Sequence, residues 1–315
     1  MIFSLLLMGL GFASLYYGAE WLVEGAINLA LILKISKVVV GLVLVAFGTS
    51  SPELFVNLIA ATEGRTGFAL SNVSGSNLTN LCIGFGMCAL VGFLVIDKRK
   101  FGIDLIFFSA SPLLIWLFMV FSPANNLPRW SAIPLLILFA VYLGFIQNRS
   151  RAELHEEEGL AGHSLGRGLL LFSLGLLLLY AGGEMVVRSA VNIGMLLGIS
   201  ETVLGLTVVA FGTSIPDTMA SITAVRKGEP DIAVGNLLGS NIFNILLVLA
   251  ATLVFSGHGL VIEPFITLDY AAVWLSAFFF IILIAVSPRL SRGAGLSLIA
   301  LYLAYIAYRV WITVG

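Results

Sequence analysis

Two acidic residues stand where acids are costly. Glu53 and Asp217 each fall inside a long apolar stretch of the 315-residue chain, one residue after a proline, in the segments 41–53 (GLVLVAFGTSSPE) and 205–217 (GLTVVAFGTSIPD). A carboxylate at the centre of a bilayer costs roughly 2.5–3.5 kcal/mol on insertion scales, so its default reading is functional. Pro52 and Pro216 carry no amide hydrogen, which predicts interrupted helices in which the carbonyls of Gly48 and Gly212 lose their partners. Thr49, Ser50, Thr213 and Ser214 stand beside these predicted breaks. Ser76 with Asn80, and Ser240 with Asn244, are four apart and share one helix face each. Serines within membrane helices also serve close packing, a reading open to Ser76 and Ser240. Carboxylate, hydroxyl, amide and carbonyl oxygens together are the donor set of a hard cation, and Ca2+ takes 6–8 of them at roughly 2.3–2.6 Å. The apolar stretches hold no His/Cys cluster of the kind a softer transition metal prefers. In this reading Glu53 and Asp217 bridge a divalent ion, and hydroxyl and amide oxygens make smaller sites for a monovalent one.

Positioning these residues falls to long apolar helices. The chain is 59% hydrophobic and 10% charged with a mean hydropathy of +1.07, outside the range of water-soluble domains. Apolar stretches at about 2–33, 38–62, 68–95, 102–121, 130–147, 167–195, 201–224, 231–255, 265–286 and 293–312 predict ten transmembrane helices. Their continuity argues against a membrane β-barrel, whose strands alternate over about ten residues. The expected fold class is an all-α polytopic membrane protein, with the lipid bilayer as its surroundings. Little chain remains for a soluble catalytic or nucleic-acid-binding domain. Sixteen Lys+Arg against seventeen Asp+Glu leave a formal charge of −1, which points to no polyanionic partner. No obligate protein partner and no cofactor are evident. The N-terminus, MIFSLLLMGLGF, lacks the basic flank and small-residue cleavage site of a secretory leader and reads as a first span. Cys82 and Cys88 lie six apart, about 240° around a helix, and are expected to pack unpaired.

Segments 41–53 and 205–217 agree at nine of thirteen positions, and one offset of 164 residues continues beyond them. It pairs Glu20 with Glu184, Asn72 with Asn236 and Gly75-Ser76-Asn77 with Gly239-Ser240-Asn241, ending at Asn80 and Asn244. The chain thus reads as two five-helix repeats, 1–147 and 167–315, joined by a hydrophilic loop at 148–166. An odd number of spans makes the second repeat enter the bilayer from the opposite side, so the repeats should be inverted. Twelve of the sixteen basic residues, Lys37, Lys100, Arg149 and Lys227 among them, fall in loops on one side of this arrangement, and only Arg65 and Arg129 in loops on the other. By the positive-inside rule both termini lie outside and the 148–166 loop lies in the cytoplasm. Glu20, Glu24 and Glu184 suit helix-end anchoring better than ion binding, and the acidic run at 155–158 suits a solvated loop.

The paired Gly-Thr-Ser-x-Pro-acid and Gly-Ser-Asn-x-x-Asn motifs, at 41–80 and 205–244, resemble the α-1 and α-2 repeats of the sodium/calcium exchanger family. The resemblance covers essentially the whole chain. It implies a secondary antiporter, not an enzyme, that moves Ca2+ against Na+ by alternating access, with the first and sixth helices sliding across a core of the second, third, seventh and eighth. Carried over by motif position, Ca2+ would be held by Glu53 and Asp217 with the carbonyls of Thr49 and Thr213. Na+ would use the carbonyls of Ala46 and Ala210 and the hydroxyls of Thr49, Ser50, Ser76, Thr213, Ser214 and Ser240. Asn80 and Asn244 would face the space between the carboxylates. A prokaryotic cytoplasmic membrane is the implied location.

The chain departs from the family pattern in two ways. Asp217 stands where sodium-dependent prokaryotic members typically have Glu, and the Ile215-Pro216-Asp217 form resembles the potassium-dependent exchangers. Those have an acid where this chain has Asn244, and the 148–166 loop is far too short for the calcium-sensing domains of animal exchangers. The alternatives to Na+/Ca2+ exchange are Ca2+ antiport coupled to H+ or dependent on K+, through the same residues. An intramembrane aspartyl hydrolase would have no use for two symmetrical sets of hydroxyls beside its acids, and a channel would show flux without a counter-ion.

Overall fold

The computed structural model describes residues 1–92, 94–122, 125–152, 164–199, 204, 210–263 and 265–314; the acidic run at 155–158 lies outside them. Helix α1 spans Ile2–Leu33 and stops at Lys34, whose left-handed conformation turns the chain. Helix α2, Lys37–Thr62, starts under a cap in which the Ser36 hydroxyl accepts from Val39 N, and contains a π-helical turn at Val40–Val45. Helix α3 covers residues 66–91 with a π-turn at Asn80–Gly84. Helix α4 is Lys98–Val120, capped by Asp97, and α5 covers residues 129–152. Helix α6 is Leu165–Leu196, capped by Ser164, and α7 covers residues 210–226 in two pieces, Ala210–Gly212 and Ile215–Arg226. Helix α8 is Pro230–Phe255 with a π-turn at Asn244–Val248, α9 is Ile266–Val286 and α10 is Arg292–Val314.

Eight of these are long and apolar enough to cross a membrane. Helix α3, dense in Ser and Asn, and the described part of α7 are not among the eight. Two boundaries differ from expectation: α5 continues to Ala152 and α6 begins at Leu165, because helix formers such as Gln147, Arg149 and Ala152 carry the helix past the apolar run. The first piece of the stretch expected at 201–224 falls largely outside the described residues.

Helix α8 is the centre. In its most apolar window 83% of residues are buried, against 22% for α10, so α8 is enclosed by protein while α10 turns an apolar face outward. Helices α2, α3 and α7 pack around α8; α9 packs on α4, α5 on the end of α8, and α10 on the end of α3. Trp116 of α4 and Trp274 of α9 stack at 5.8 Å with an 8° interplanar angle. Two antiparallel ribbons of two residues each, Leu94–Val95 with Arg289–Leu290 and Asn126–Leu127 with Leu260–Val261, link early loops to late ones.

Helices α1 and α6 lie against each other along most of their length. Glycines at seven-residue spacing make this contact: a Cβ added to Gly11, Gly18 or Gly25 would sit 2.9–3.0 Å from the carbonyl oxygen of Gly182, Gly175 or Gly168. With no side chain between them, the two backbones approach directly. Leu176 and Phe172 of α6 also lie over Gly48 of α2, and Val187 of α6 over Gly212 of α7.

The interruption expected at Pro52 is absent. Helix α2 runs from Ala46 to Thr62 without a break and with Pro52 inside it. One missing amide removes one backbone bond, that to the Gly48 carbonyl, and the rest of the ladder from Ala46 to Thr62 is kept; the Thr49 and Ser51 hydroxyls lie 2.8 and 2.6 Å from the carbonyls of Val45 and Phe47. At Pro216 the break is present: Thr213 and Ser214 form a turn, and Pro216 sits in the first turn of Ile215–Arg226, where its missing amide would have had no helical partner anyway.

Candidate ion-binding site

The two acids share an address but not an environment. Asp217 is fully buried. Its Oδ2 accepts from Asn80 Nδ2 at 2.6 Å and its Oδ1 from Ser240 Oγ at 2.9 Å. The donors come from α3 and α8, and Asn80 is the first residue of the α3 π-turn, a helical defect frequent at functional sites. Glu53 is equally buried, yet neither carboxylate oxygen has a hydrogen-bond partner among the described residues. It lies close enough to Asp217 for their charges to repel.

The 164-residue offset sharpens this contrast. The counterpart of Asn80 is Asn244, which opens the α8 π-turn against which α2 packs. By analogy with Asn80 and Asp217, Asn244 should bond to Glu53. It does not: both polar atoms of its buried amide are without a partner, as are Ser50 Oγ and Asn80 Oδ1. A buried polar group left without a hydrogen bond costs of order 1–3 kcal/mol, and a charged one more. The unpaired Glu53 carboxylate and Ser50 hydroxyl lie one turn apart on α2, which packs against the turn that Asn244 opens, so a cation placed there would return the solvation these groups lack.

The remaining expected residues divide into those that meet and those that do not. Ser76 Oγ and Thr213 Oγ1 lie 3.1 Å apart, joining α3 to α7, and Ser214 Oγ donates to the Ser76 carbonyl at 3.4 Å. Thr49 Oγ1 is ringed by the Val45 and Ala46 carbonyls, at 2.8 and 3.3 Å, and by Asn236 Oδ1 at 3.1 Å. The Ala46 carbonyl is thus within the Thr49 cluster, while Ala210 opens the short Ala210–Gly212 piece. Ser240 meets Asp217 and not Glu53. Among the described residues no three His, Cys, Asp or Glu side chains converge, so any cation held here draws on hydroxyl, amide and carbonyl oxygens beyond the two acids.

The sodium/calcium exchanger protein family matches this chain over residues 3–147 and again over 167–311, two stretches that begin 164 residues apart and together span most of the sequence. The chain belongs to the sodium/calcium exchanger family. It is an integral membrane transporter and not an enzyme. The sodium/calcium exchanger MaX1 of Methanosarcina acetivorans is 30% identical over 352 aligned positions, covering 98% of this chain and 99% of that protein. The solved structure of the sodium/calcium exchanger from Methanococcus jannaschii superimposes with a TM-score of 0.80 at 28% identity, covering 97% of this chain and 98% of the other. A shorter likeness, 55% identity over 53 residues, or 17% of this chain, links it to 11% of human sodium/potassium/calcium exchanger 5.

Within this family member the structure adds residues that the sequence reading passed over. Asn236 donates to the Asp217 carbonyl at 3.1 Å and to Ser221 Oγ at 2.9 Å, while Asn72 donates to Asn57 Oδ1 at 3.0 Å, the same bond 164 residues earlier. Asn72 and Asn236 were visible as a repeated pair, and two buried amides in apolar helices were the signal. Two triads were less visible. Asp104 accepts from Tyr142 Oη at 2.9 Å and from Arg149 Nη2 at 2.8 Å; Asp269 accepts from Tyr305 Oη at 2.7 Å and pairs with Arg309 at 2.8 Å. Arg149, expected among loop cations, is therefore a mostly buried partner on α5. Glu20, Glu24 and Glu184 pair with Lys227, Arg167 and Arg188, all partly exposed. Cys82 and Cys88 are buried and free.

Proposed function

We propose that this exchanger family member carries out Na+/Ca2+ antiport by alternating access, with Glu53 and Asp217 as the Ca2+ ligands near the middle of the bilayer. The observation that carries this reading is the partnerless, fully buried Glu53 carboxylate, within electrostatic reach of Asp217. Two carboxylates balance one Ca2+. When Ca2+ leaves, the same two charges accommodate Na+ ions whose remaining ligands are the hydroxyls of Thr49, Ser50, Ser76, Thr213, Ser214 and Ser240 and the carbonyls of Ala46 and Ala210. Asn80 and Asn244 sit beside the acids.

Ten spans in two inverted five-helix repeats suit the contacts between loops. Lys37, at the start of α2, pairs with Glu229, just after α7, at 3.0 Å. The counterpart of Glu229 at the 164-residue offset is Arg65, which follows the far end of α2. Helix α7 thus ends beside the start of α2, as an inverted copy of α2 would. Both ribbons join loops assigned to the same face. In this reading both termini lie outside a prokaryotic cytoplasmic membrane and the 148–166 loop lies inside. The close-packed α1–α6 pair, lying over Gly48 and Gly212 beside the site, is the element that moves as one body.

The deciding measurement is 45Ca2+ uptake into proteoliposomes loaded in turn with Na+, with K+ or with a pH gradient. Uptake driven by an outward Na+ gradient alone supports the proposal. Uptake driven only by the pH gradient, or only when K+ is present, overturns the coupling assignment, and uptake without any counter-ion overturns antiport.

A further inference from the structure

Asn236 stands at the join between the two parts of the site. Its side chain is fully buried, and both of its polar atoms are engaged. Nδ2 donates to the Asp217 carbonyl at 3.1 Å and to Ser221 Oγ at 2.9 Å, and Oδ1 lies 3.1 Å from Thr49 Oγ1, whose one proton it shares with the Val45 and Ala46 carbonyls. The direction of the amide is forced, because a backbone carbonyl can only accept and so requires the NH2 group on that side. Oδ1 must then face Thr49 on α2. Of the three oxygens around the Thr49 hydroxyl, the other two belong to its own helix, the carbonyls of Val45 and Ala46. Asn236 reaches it from α8, and the Thr49 side chain also lies within hydrogen-bonding reach of the Asp217 carboxylate on α7. One amide on α8 therefore holds α2 at Thr49 and α7 at Asp217. Asn72, its counterpart, bridges to Asn57 by the equivalent bond, but among the described residues no bond from it to Thr213 repeats the second half of the bridge. The spacing between first-copy hydroxyl and second-copy carboxylate is thus set from one side.

We propose that Asn236 is a positioning residue that fixes the spacing between Thr49 and Asp217 and the direction of the Thr49 hydroxyl, and that it thereby sets the balance of Na+ against Ca2+ at the site. This rests on the reading of Thr49 and Asp217 as ion ligands. A Na+ ligand set built from hydroxyls depends on where each lone pair points, whereas Ca2+ held chiefly by two carboxylates depends on it less. Loss of the amide accordingly weakens Na+ more than Ca2+.

The test measures half-saturating Na+ and Ca2+ concentrations in the proteoliposome exchange assay, together with the melting temperature, for Asn236→Ala, Thr49→Val and the double variant. Asn236→Ala is expected to raise the Na+ value about three- to tenfold, the size of one lost hydrogen bond, with a smaller change for Ca2+. In the Thr49→Val background the same substitution should add little. A purely structural role would lower melting temperature and maximal rate while leaving the Na+/Ca2+ ratio unchanged and the two substitutions additive, and that result overturns the proposal. If Thr49→Val itself leaves the ratio unchanged, the underlying assignment of Thr49 as an ion ligand fails instead. Should Asn236→Ala not fold, Ser221→Ala removes one of the two anchors of the amide and should shift the ratio in the same direction by a smaller factor; an unchanged ratio there counts against Asn236.

Discussion

Asn77 donates its side-chain amide to the backbone carbonyl of Asn241 at 3.1 Å, and Asn241 is the residue 164 positions on, its own counterpart in the repeated motif. The bond ties α3 to α8 at matching points of the repeated motif, three residues before Asn80 and Asn244. The bond is not returned. Asn241 Nδ2 turns to the Leu237 carbonyl of its own helix at 2.7 Å. The same departure from symmetry separates Asp217, held by Asn80 and Ser240, from Glu53, whose carboxylate has no hydrogen-bond partner among the described residues.

Neutralising either acid should stop transport. Glu53→Gln and Asp217→Asn are each expected to abolish Ca2+ uptake while the purified protein keeps its melting temperature, because the lost charge has no substitute nearby. Asp217→Glu should retain some uptake with a shifted apparent Ca2+ affinity. Near-normal exchange by either neutral variant would remove these residues from the site.

Orientation can be read with two single cysteines. Cysteine at Ser164, the cap of α6, should react with a membrane-impermeant maleimide only from the cytoplasmic face, and cysteine at Asn125, before the Asn126–Leu127 ribbon, only from outside. Reversed labelling would turn the protein over in the membrane.

Potassium should prove neither necessary nor transported, despite the local likeness to a sodium/potassium/calcium exchanger. Asn244 brings a neutral amide where an acid would add a further charge in a low-dielectric pocket, leaving two formal negative charges for the cargo. Exchange should run equally with K+ or choline as the background cation, and Asn244→Asp is the variant expected to acquire K+ sensitivity. A strict K+ requirement in the unaltered protein would make Asp217 the better guide.

The glycine seam between α1 and α6 should tolerate no side chain. A Cβ on Gly25 would lie 2.4 Å from Phe172 N, and one on Gly175 the same distance from Leu22 N; both obstacles are backbone. Gly25→Val or Gly175→Val is expected to lower stability by about 1–3 kcal/mol or more, the usual range for overpacking. Gly102→Val is the control, since nothing lies within 4 Å of a Cβ there. Thermal denaturation in detergent reads the difference.

Breaking one triad should cost more than any surface pair. Asp104 is fully buried and its partner Arg149 nearly so, and removing one member of a buried pair typically costs 3–5 kcal/mol because the other charge is left behind. Asp104→Ala should therefore reduce melting temperature well beyond Glu63→Ala, whose pair with Arg65 is largely exposed.

What could be read from the chain followed from repetition. A single gapless offset picked out Asn80 and Ser240, the two side chains that bond the Asp217 carboxylate, and the apolar runs located the described long helices to within a few residues. Pro52 misled because an isolated proline removes a single bond of the ladder without dictating a break. The π-turns opening at Asn80 and Asn244 leave no mark in residue type; they express how α3 and α8 pack. The triads escaped because their members are 165, 163 and 160 residues apart, Asp104 from Asp269, Tyr142 from Tyr305 and Arg149 from Arg309. Beyond Asn80 and Asn244 the copies have drifted in length, and only tertiary contact brings each set together.

The partly exposed ion pairs between helices are unevenly placed. Lys37–Glu229, Lys100–Asp231 and Lys227–Glu20 all gather at the end where α1 and α7 finish. At the other end, among the described residues, Glu63–Arg65 stays within its own segment, and the pair that does join two helices there, Asp269 of α9 with Arg309 of α10, is nearly buried. Partly exposed pairs are screened over a Debye length of about 8 Å at physiological ionic strength and about 3 Å at 1 M. Concentrated salt on one side of the membrane therefore loosens the exposed fastening between α1 and the end of α7, whereas the Asp269–Arg309 pair toward the opposite side is buried away from the salt, so two structurally similar halves respond unequally to the solutions they face.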